Sequence, residues 1–352
     1  MNIRKIILPV IAALLAGGIA RAGDKFRIGF IAEPAHGLYF VARDKGYFQD
    51  ENIDPELFQF STTAEGVTAL KSRKLDVGTF GTAAPLLFIA RGTDFTIFGG
   101  MMIGGQAIIT KPENAGTYRE LKNFKGKTIG LGKLTTGDVI FRGALKKAGL
   151  DPSVDVKIVE LPGQSAVVEA VRKGAVDAGI VFSPHFSLAE AKYGLKVSNY
   201  IADFYPRYTC CRLTANTDDL RKNPERYKRF LIALIRAYKF YRENPDETVK
   251  ILANGLKIDE GILRKDTYTD HTFESNPDPL TNGTVDFWNV MTDIGYLPEN
   301  HVRVRDHIDT SIYRQALDEV LKRYPDDPVY RELDGFYSKN NGTTADSERI
   351  IP

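Results

Sequence analysis

The sequence predicts an α/β protein of two similar lobes, each a sheet of parallel strands with helices on both faces. Three observations carry that expectation. Short apolar runs alternate with helix-spaced segments from Phe26 onward, the rhythm of a sheet covered by its own crossover helices. A fixed offset of 101 residues brings Ile28, Gly29, Phe40 and Asp50 onto Ile129, Gly130, Phe141 and Asp151, and Val67, Ala69, Asp76 and Gly78 onto Val168, Ala170, Asp177 and Gly179. Both halves therefore follow one strand–helix plan. A chain of 352 residues also exceeds the roughly 250–300 residues at which a single core stops growing.

Taken in order, residues 26–31 are a buried strand ending in the loop Glu33-Pro34-Ala35-His36-Gly37. Residues 38–45 have helical spacing and stop at Gly46. A second strand over 54–60 leads to Ser61-Thr62-Thr63, hydroxyls suited to cap a helix over 64–73. A third strand over 75–80 meets Gly81-Thr82, read as the cap of a helix ending at Gly92. Residues 96–111, apolar and glycine-bearing, read as a crossing strand to the second lobe, and 197–214 as the return crossing. Helices are expected over 216–241, 246–256, 259–268, 281–294 and 310–323, punctuated by Pro206, Pro245, Pro277, Pro279 and Pro298. Beyond Tyr337 the sequence is polar and is expected to be loose. The expected lobes are 23–105 with 212–340, and 106–211, with a tail over 341–352.

The first residues read as an address. Arg4 and Lys5 precede an apolar run over 6–16, and Ala20-Arg21-Ala22 precedes a cut at Gly23. The run is well short of the roughly 20 residues a spanning helix needs, so residues 1–22 are expected to be a cleaved export signal. The mature protein is then expected to be soluble, periplasmic and monomeric. A formal charge of +2 offers no basic field for nucleic acid. Two cysteines cannot build a disulfide framework, so stability must come from burial.

Six loops share one property: a strand ends, small polar residues follow, and a helix begins. They lie at 33–39, 61–63, 81–84, 133–138, 163–165 and at Ser183-Pro184-His185. In open α/β sheets, ligands sit beyond the carboxyl ends of the strands, where helix N-termini offer unsatisfied N–H groups. Two facing lobes would line one crevice from both sides. The candidate lining is His36, Tyr39, Thr62, Thr82, Thr135, Thr136, Gln164, His185 and Arg212. No catalytic residue, metal ligand or cofactor is assigned. Trp288, with Val285 and Met291 a turn away on either side, is expected to pack in a core.

Gly46-Tyr47-Phe48, Leu75-Asp76-Val77-Gly78, the run from Leu121 to Gly130, Val176-Asp177-Ala178-Gly179 and Asn223-Pro224-Glu225 together resemble the nitrate, sulfonate, taurine and thiamin-precursor binding proteins. The resemblance runs from about Phe26 to about Arg323. It implies the class II periplasmic-binding fold, with two lobes closing on a small-molecule ligand, and a partner in the membrane permease of an ABC importer. In the sulfonate binders a Lys-Gly-Ser-Ser-Ser loop holds the acid group; Lys133-Leu134-Thr135-Thr136-Gly137 stands there, so Thr135 and Thr136 would take a polar or anionic end. His36 falls where the pyrimidine-precursor binders carry a histidine, and Tyr39 or Tyr208 would supply an aromatic wall. Sulfonate, carboxylate and pyrimidine ligands all remain open.

Cys210-Cys211-Arg212 brings in a rival reading. The yeast-type pyrimidine synthase of the thiamin pathway shares this fold and carries a cysteine-rich run near this point, which would make the chain an enzyme with a cysteine-dependent metal site. That enzyme's cofactor lysine and nearby histidine fall on Phe80 and Ala84 here. Strand alternation also sends only one of two adjacent cysteines toward a cleft. Arg212 is read as pairing either with an anionic ligand group or with a neighbouring acid.

Overall fold

The computed structural model describes residues 23–299 and 301–342. The expected export signal lies outside them. The chain begins with β1 (Asp24–Ile31), α1 (Gly37–Asp44), α2 (Tyr47–Asp50), β2 (Ile53–Phe60), α3 (Thr63–Lys71), β3 (Val77–Phe80) and α4 (Ala83–Ala90). It then crosses through β4 (Phe95–Gly104) and β5 (Gln106–Thr110). A second alternation follows: β6 (Thr128–Leu131), α5 (Thr136–Lys147), β7 (Lys157–Glu160), α6 (Gln164–Lys173), β8 (Ala178–Phe182), α7 (His185–Tyr193) and β9 (Lys196–Tyr200). The return is β10 (Thr209–Asn216), and helices dominate thereafter: α8 (Thr217–Lys222), α9 (Pro224–Glu243), α10 (Pro245–Leu256) and α11 (Glu260–Arg264). After α11 a π-helical turn spans Lys265–Thr269, and β11 (Phe273–Ser275), α12 (Thr281–Asp293), α13 (Ser311–Arg323) and α14 (Pro328–Asn340) complete the order.

Two sheets result, ordered β11-β4-β10-β3-β1-β2 and β7-β6-β8-β5-β9. Within each, the strands of the alternating units run parallel, but the crossing strands β10 and β5 pair antiparallel with their neighbours. The sheets are therefore mixed rather than all-parallel. The offset of 101 residues holds at the level of hydrogen bonds. Gly29 faces Gly78 across β1 and β3, and Gly130 faces Gly179 across β6 and β8. Asp76 accepts from the Arg27 amide at 2.7 Å, and Asp177 accepts from the Thr128 amide at 2.8 Å. One aspartate thus fixes the same strand start in both halves.

The outgoing crossing is broken, not continuous. Gly104 and Gly105 have φ of +77° and +95°, so β4 ends in one sheet and β5 begins in the other. A Cβ at Gly105 would also lie 1.7 Å from the Met102 side chain, so this turn needs glycine. The return differs more from expectation. Residues 196–200 form the edge strand β9, and the chain comes back through a 3₁₀ turn at Ile201–Asp203 before β10.

Local signals explain several helix starts. Thr62 accepts from the Glu65 amide, Asp259 from the Gly261 and Ile262 amides, and Asp327 from the Val329 and Tyr330 amides. Pro224 and Pro245 occupy first helical turns, where a missing N–H costs nothing. The expected helix over 216–241 is therefore two helices, broken at Asn223-Pro224. Phe230, Leu231, Leu234 and Tyr238 of α9 follow i, i+4 and i+3 spacing into the first core, where Phe230 stacks on Phe26. Residues 338–342 are better anchored than their composition suggests. α14 runs to Asn340, and Asn341 donates to the Asp278 carboxylate at 2.8 Å.

A second core cluster joins the two halves. It contains Phe80, Leu86 and Phe95 from the first unit, Ile129, Phe141 and Ile180 from the second, and Val285, Trp288 and Met291 from α12. None of the helices among the described residues is long and apolar enough to cross a membrane.

Candidate functional site

The turn after β1, the C-terminal end of β3, the bend in β10, the start of β5 and the N-terminus of α5 meet where the two sheets face each other. Each contributes a buried polar group. Glu33 and His36 come from the turn that follows β1, and Pro34 opens the short 3₁₀ helix between them. The Nδ1–H of His36 donates to the Ile31 carbonyl at 2.6 Å, leaving Nε2 buried without a partner. Burial, partly opposed by that bond, pulls the imidazole down to about 4, so His36 is neutral at pH 7. Burial, and next the charge of Cys210, hold the Glu33 carboxyl well above its ordinary range. Its Oε2 has no partner either.

Cys210 and Cys211 both enter this space. Cys211 has φ of +50°, a left-handed backbone that interrupts strand alternation, and the two Sγ atoms lie 3.4 Å apart. The expectation that only one thiol faces the cleft is corrected on this ground. The Cys210 thiol donates to Thr136 Oγ1 at 3.3 Å and accepts from Gln106 Nε2 at 3.5 Å. Thr136 and Gln106 belong to the second sheet unit, so Cys210 spans the gap between halves. Burial resists ionisation of Cys210, but its bonds with Cys211, Thr136 and Gln106 outweigh it; Cys211 is pushed up, first by its bond with Cys210 and then by burial.

The predicted lining divides into groups. His36, Tyr39 and Thr136 share the buried space, and the Tyr39 hydroxyl hydrogen-bonds Thr79 Oγ1. Thr82 is fully buried with no partner for its hydroxyl. It is not the cap it resembled, because its φ of −57° and ψ of −31° are already helical. The adjoining Gly81 faces the second half: a Cβ there would lie 3.3 Å from Thr136 Oγ1. Thr62 is exposed and serves α3 as its cap. Thr135 caps α5, accepting from Asp138 N and donating to Gly132 O. Gln164 Oε1 accepts from the Phe182 amide, which ties α6 to β8. His185 is half-buried, edge-on to Phe182, and burial lowers it to about 4.

Arg212 is adjacent to the site but turned to the backbone. Its guanidinium donates to the carbonyls of Met102 at 2.5 Å, Asp278 at 2.8 Å, Cys210 at 2.9 Å and Pro279 at 3.3 Å. Burial lowers it to about 10, still cationic at pH 7. Backbone carbonyls, rather than an acidic side chain, hold its terminal nitrogens, and its Nε is buried without a partner. Glu33, Thr79 and Gln106 were missed. An acid in a loop normally meets solvent; only its position immediately after β1 marked Glu33.

A second polar contact joins the two units. Asp266, in the π-helical turn after α11, is fully buried and accepts from Ser183 Oγ at 2.6 Å and Ser187 Oγ at 2.5 Å. Both serines belong to the second unit. Hydrogen bonds to a carboxylate contribute about 1.5–3 kcal/mol, so Asp266→Ala is expected to weaken solute binding by roughly tenfold or more. Titration calorimetry measures it, and an unchanged Kd would show that this contact does not bear on closure.

A family model described as NMT1/THI5 like matches residues 33–248. A putative binding protein of Brucella abortus is 28% identical over 240 residues, covering 67% of this chain and 73% of its own length. The putative aliphatic sulfonates-binding protein of Bacillus subtilis is 27% identical over 333 residues, covering 89% and 96%. The 4-amino-5-hydroxymethyl-2-methylpyrimidine phosphate synthase of Candida albicans is 28% identical over 238 residues, covering 63% and 68%. Among solved structures, the periplasmic nitrate-binding protein NrtA of Synechocystis superposes with a TM-score of 0.72 at 14% identity, over 91% of this chain and 99% of its own. The periplasmic aliphatic sulphonate binding protein SsuA of Escherichia coli gives 0.69 at 18%, over 83% and 99%. The two-sheet architecture is that of the periplasmic binding proteins. The chain belongs to the NMT1/THI5-like family.

Proposed function

We propose that this protein is an extracytoplasmic solute-binding protein, acting as a monomer, that captures a small polar organic molecule between its halves and delivers it to the permease of an ABC importer. The observation that carries the reading is the set of buried polar atoms without partners around the cleft: Glu33 Oε2, His36 Nε2, Thr82 Oγ1 and Gln106 Oε1. A buried donor or acceptor left unpaired costs about 1–3 kcal/mol. Several gathered at one junction are compensated when a guest supplies the missing bonds. The two halves would open about the Gly104-Gly105 bend and the 201–208 return, in the manner of hinge closure.

The side chains favour an uncharged hydrogen-bonding solute, such as a pyrimidine-type precursor, over a free sulfonate or carboxylate. The terminal nitrogens of Arg212 are already committed to four carbonyls, leaving only Nε without a partner, His36 is neutral, and Glu33 and two thiols stand nearby. The synthase reading is weaker. Phe80, where its cofactor lysine would stand, is fully buried against Phe60. A thermal-shift screen of pyrimidines, sulfonates and carboxylates tests the assignment. A pyrimidine is expected to raise Tm and to be recovered chemically unchanged; stabilisation by a large apolar compound alone would contradict it.

A further inference from the structure

The groups around Glu33 have the makings of a second kind of site. We propose that Glu33, His36 and Cys211 bind a single divalent transition-metal ion of the zinc class. One ligand atom from each, a carboxylate oxygen, an imidazole nitrogen and a sulfur, lies within 4.8 Å of the other two, and all three residues are buried. A tetrahedral ion with Zn–S near 2.3 Å and Zn–N or Zn–O near 2.0–2.2 Å holds such atoms roughly 3.3–3.6 Å apart. Closing that difference takes side-chain adjustment, not movement of the fold.

The imidazole is already set for the task. Its Nδ1–H is spent on the Ile31 carbonyl, so the lone pair sits on Nε2, which faces no protein partner. A histidine that ligates a metal characteristically anchors its other ring nitrogen in this way. Glu33 Oε2 is likewise buried and unpartnered. The donor set of thiolate, imidazole and carboxylate suits zinc or cobalt and is poorly matched to magnesium or calcium. The fourth position lies within reach of Cys210, whose Sγ is 3.4 Å from that of Cys211, or of a solute that displaces it.

The proposal shares the cleft of the proposed function and rests on that reading for its location; with the ion in place, Glu33 and His36 would meet the solute through the metal, and Thr82 and Gln106 would meet it directly. An ion there would add to the charge of Arg212 an open coordination position, which a guanidinium held by carbonyls does not offer, and would shift the preference of the cleft toward solutes with an anionic or chelating head.

The test is titration of the reduced, chelator-treated mature protein with cobalt(II), followed by zinc(II) in competition, with circular dichroism to verify the fold of each variant. One equivalent is expected to bind, with a thiolate-to-cobalt charge-transfer band and the visible bands of a tetrahedral ion. Cys211→Ser is expected to abolish the charge-transfer band. Glu33→Gln and His36→Gln, which preserve size, are each expected to weaken cobalt binding by more than roughly tenfold. Absence of stoichiometric binding, or a spectrum unchanged in Cys211→Ser, would overturn the site. Solute binding by protein that takes up no cobalt would remove the metal and leave the proposed function standing; a cobalt site in protein that binds no solute would do the reverse.

Discussion

Arg212→Ala is expected to lower the unfolding free energy by about 3–5 kcal/mol, the loss typical when one side of a buried charged arrangement is removed. The guanidinium is 1% exposed and collects carbonyls from three separate segments: Met102 on β4, Cys210 on β10, and Asp278 and Pro279 ahead of α12. The approach is close, since a Cβ at Gly100 would lie 2.1 Å from the Asp278 carbonyl and 2.3 Å from the guanidinium. Alanine would strand these acceptors in a space water enters poorly. Lysine is expected to recover only part, because one ammonium cannot reproduce the planar fork. Urea unfolding with a fixed m-value measures the change. A loss under about 1 kcal/mol with solute affinity abolished would restore Arg212 to the role of ligand contact.

Trp288→Ala is expected to cost about 3–5 kcal/mol and to loosen one half from the other. The indole is 1% exposed in the cluster that contains Phe80 and Phe95 of the first unit and Phe141 and Ile180 of the second. α12 also lies tight on α5, where a Cβ at Gly143 would stand 2.5 Å from Val290. Removing the indole leaves a cavity at that junction, so the variant is expected to lose stability and to close less completely on solute. Small-angle scattering alongside denaturant unfolding would register both. Full stability with unaltered closure would mean that α12 does not couple the halves.

How far the sequence carried the account depends on which interactions are local. The pairing of Gly29 with Gly78 and of Gly130 with Gly179 follows from a repeat of apolar spacing, and that spacing is printed in the chain. Caps such as Thr62 and Asp259 answer to neighbours two or three residues away, so they too are legible. The bend at Cys211 is not, because its positive φ runs against the preference of a cysteine and is held by surrounding structure. Arg212 illustrates the same limit. Three of its four partners come from distant segments, and backbone carbonyls leave no mark in a side-chain sequence. Glu33 was hidden by a sound expectation about acids in loops, which failed because β10 brings two thiols over the turn. Helix α14 was lost to its polar composition, although Asp327 and Pro328 supply a cap and a first turn.

Solute capture requires a guest that completes the hydrogen bonds that Glu33, His36, Thr82 and Gln106 leave open. Native mass spectrometry of protein isolated gently from its exporting host addresses that directly. One small polar molecule per chain is expected, released intact on denaturation and lost when Thr82→Val and Gln106→Leu are combined. Protein that carries no small molecule and takes none from an extract of its host, or that releases one chemically altered, would contradict it.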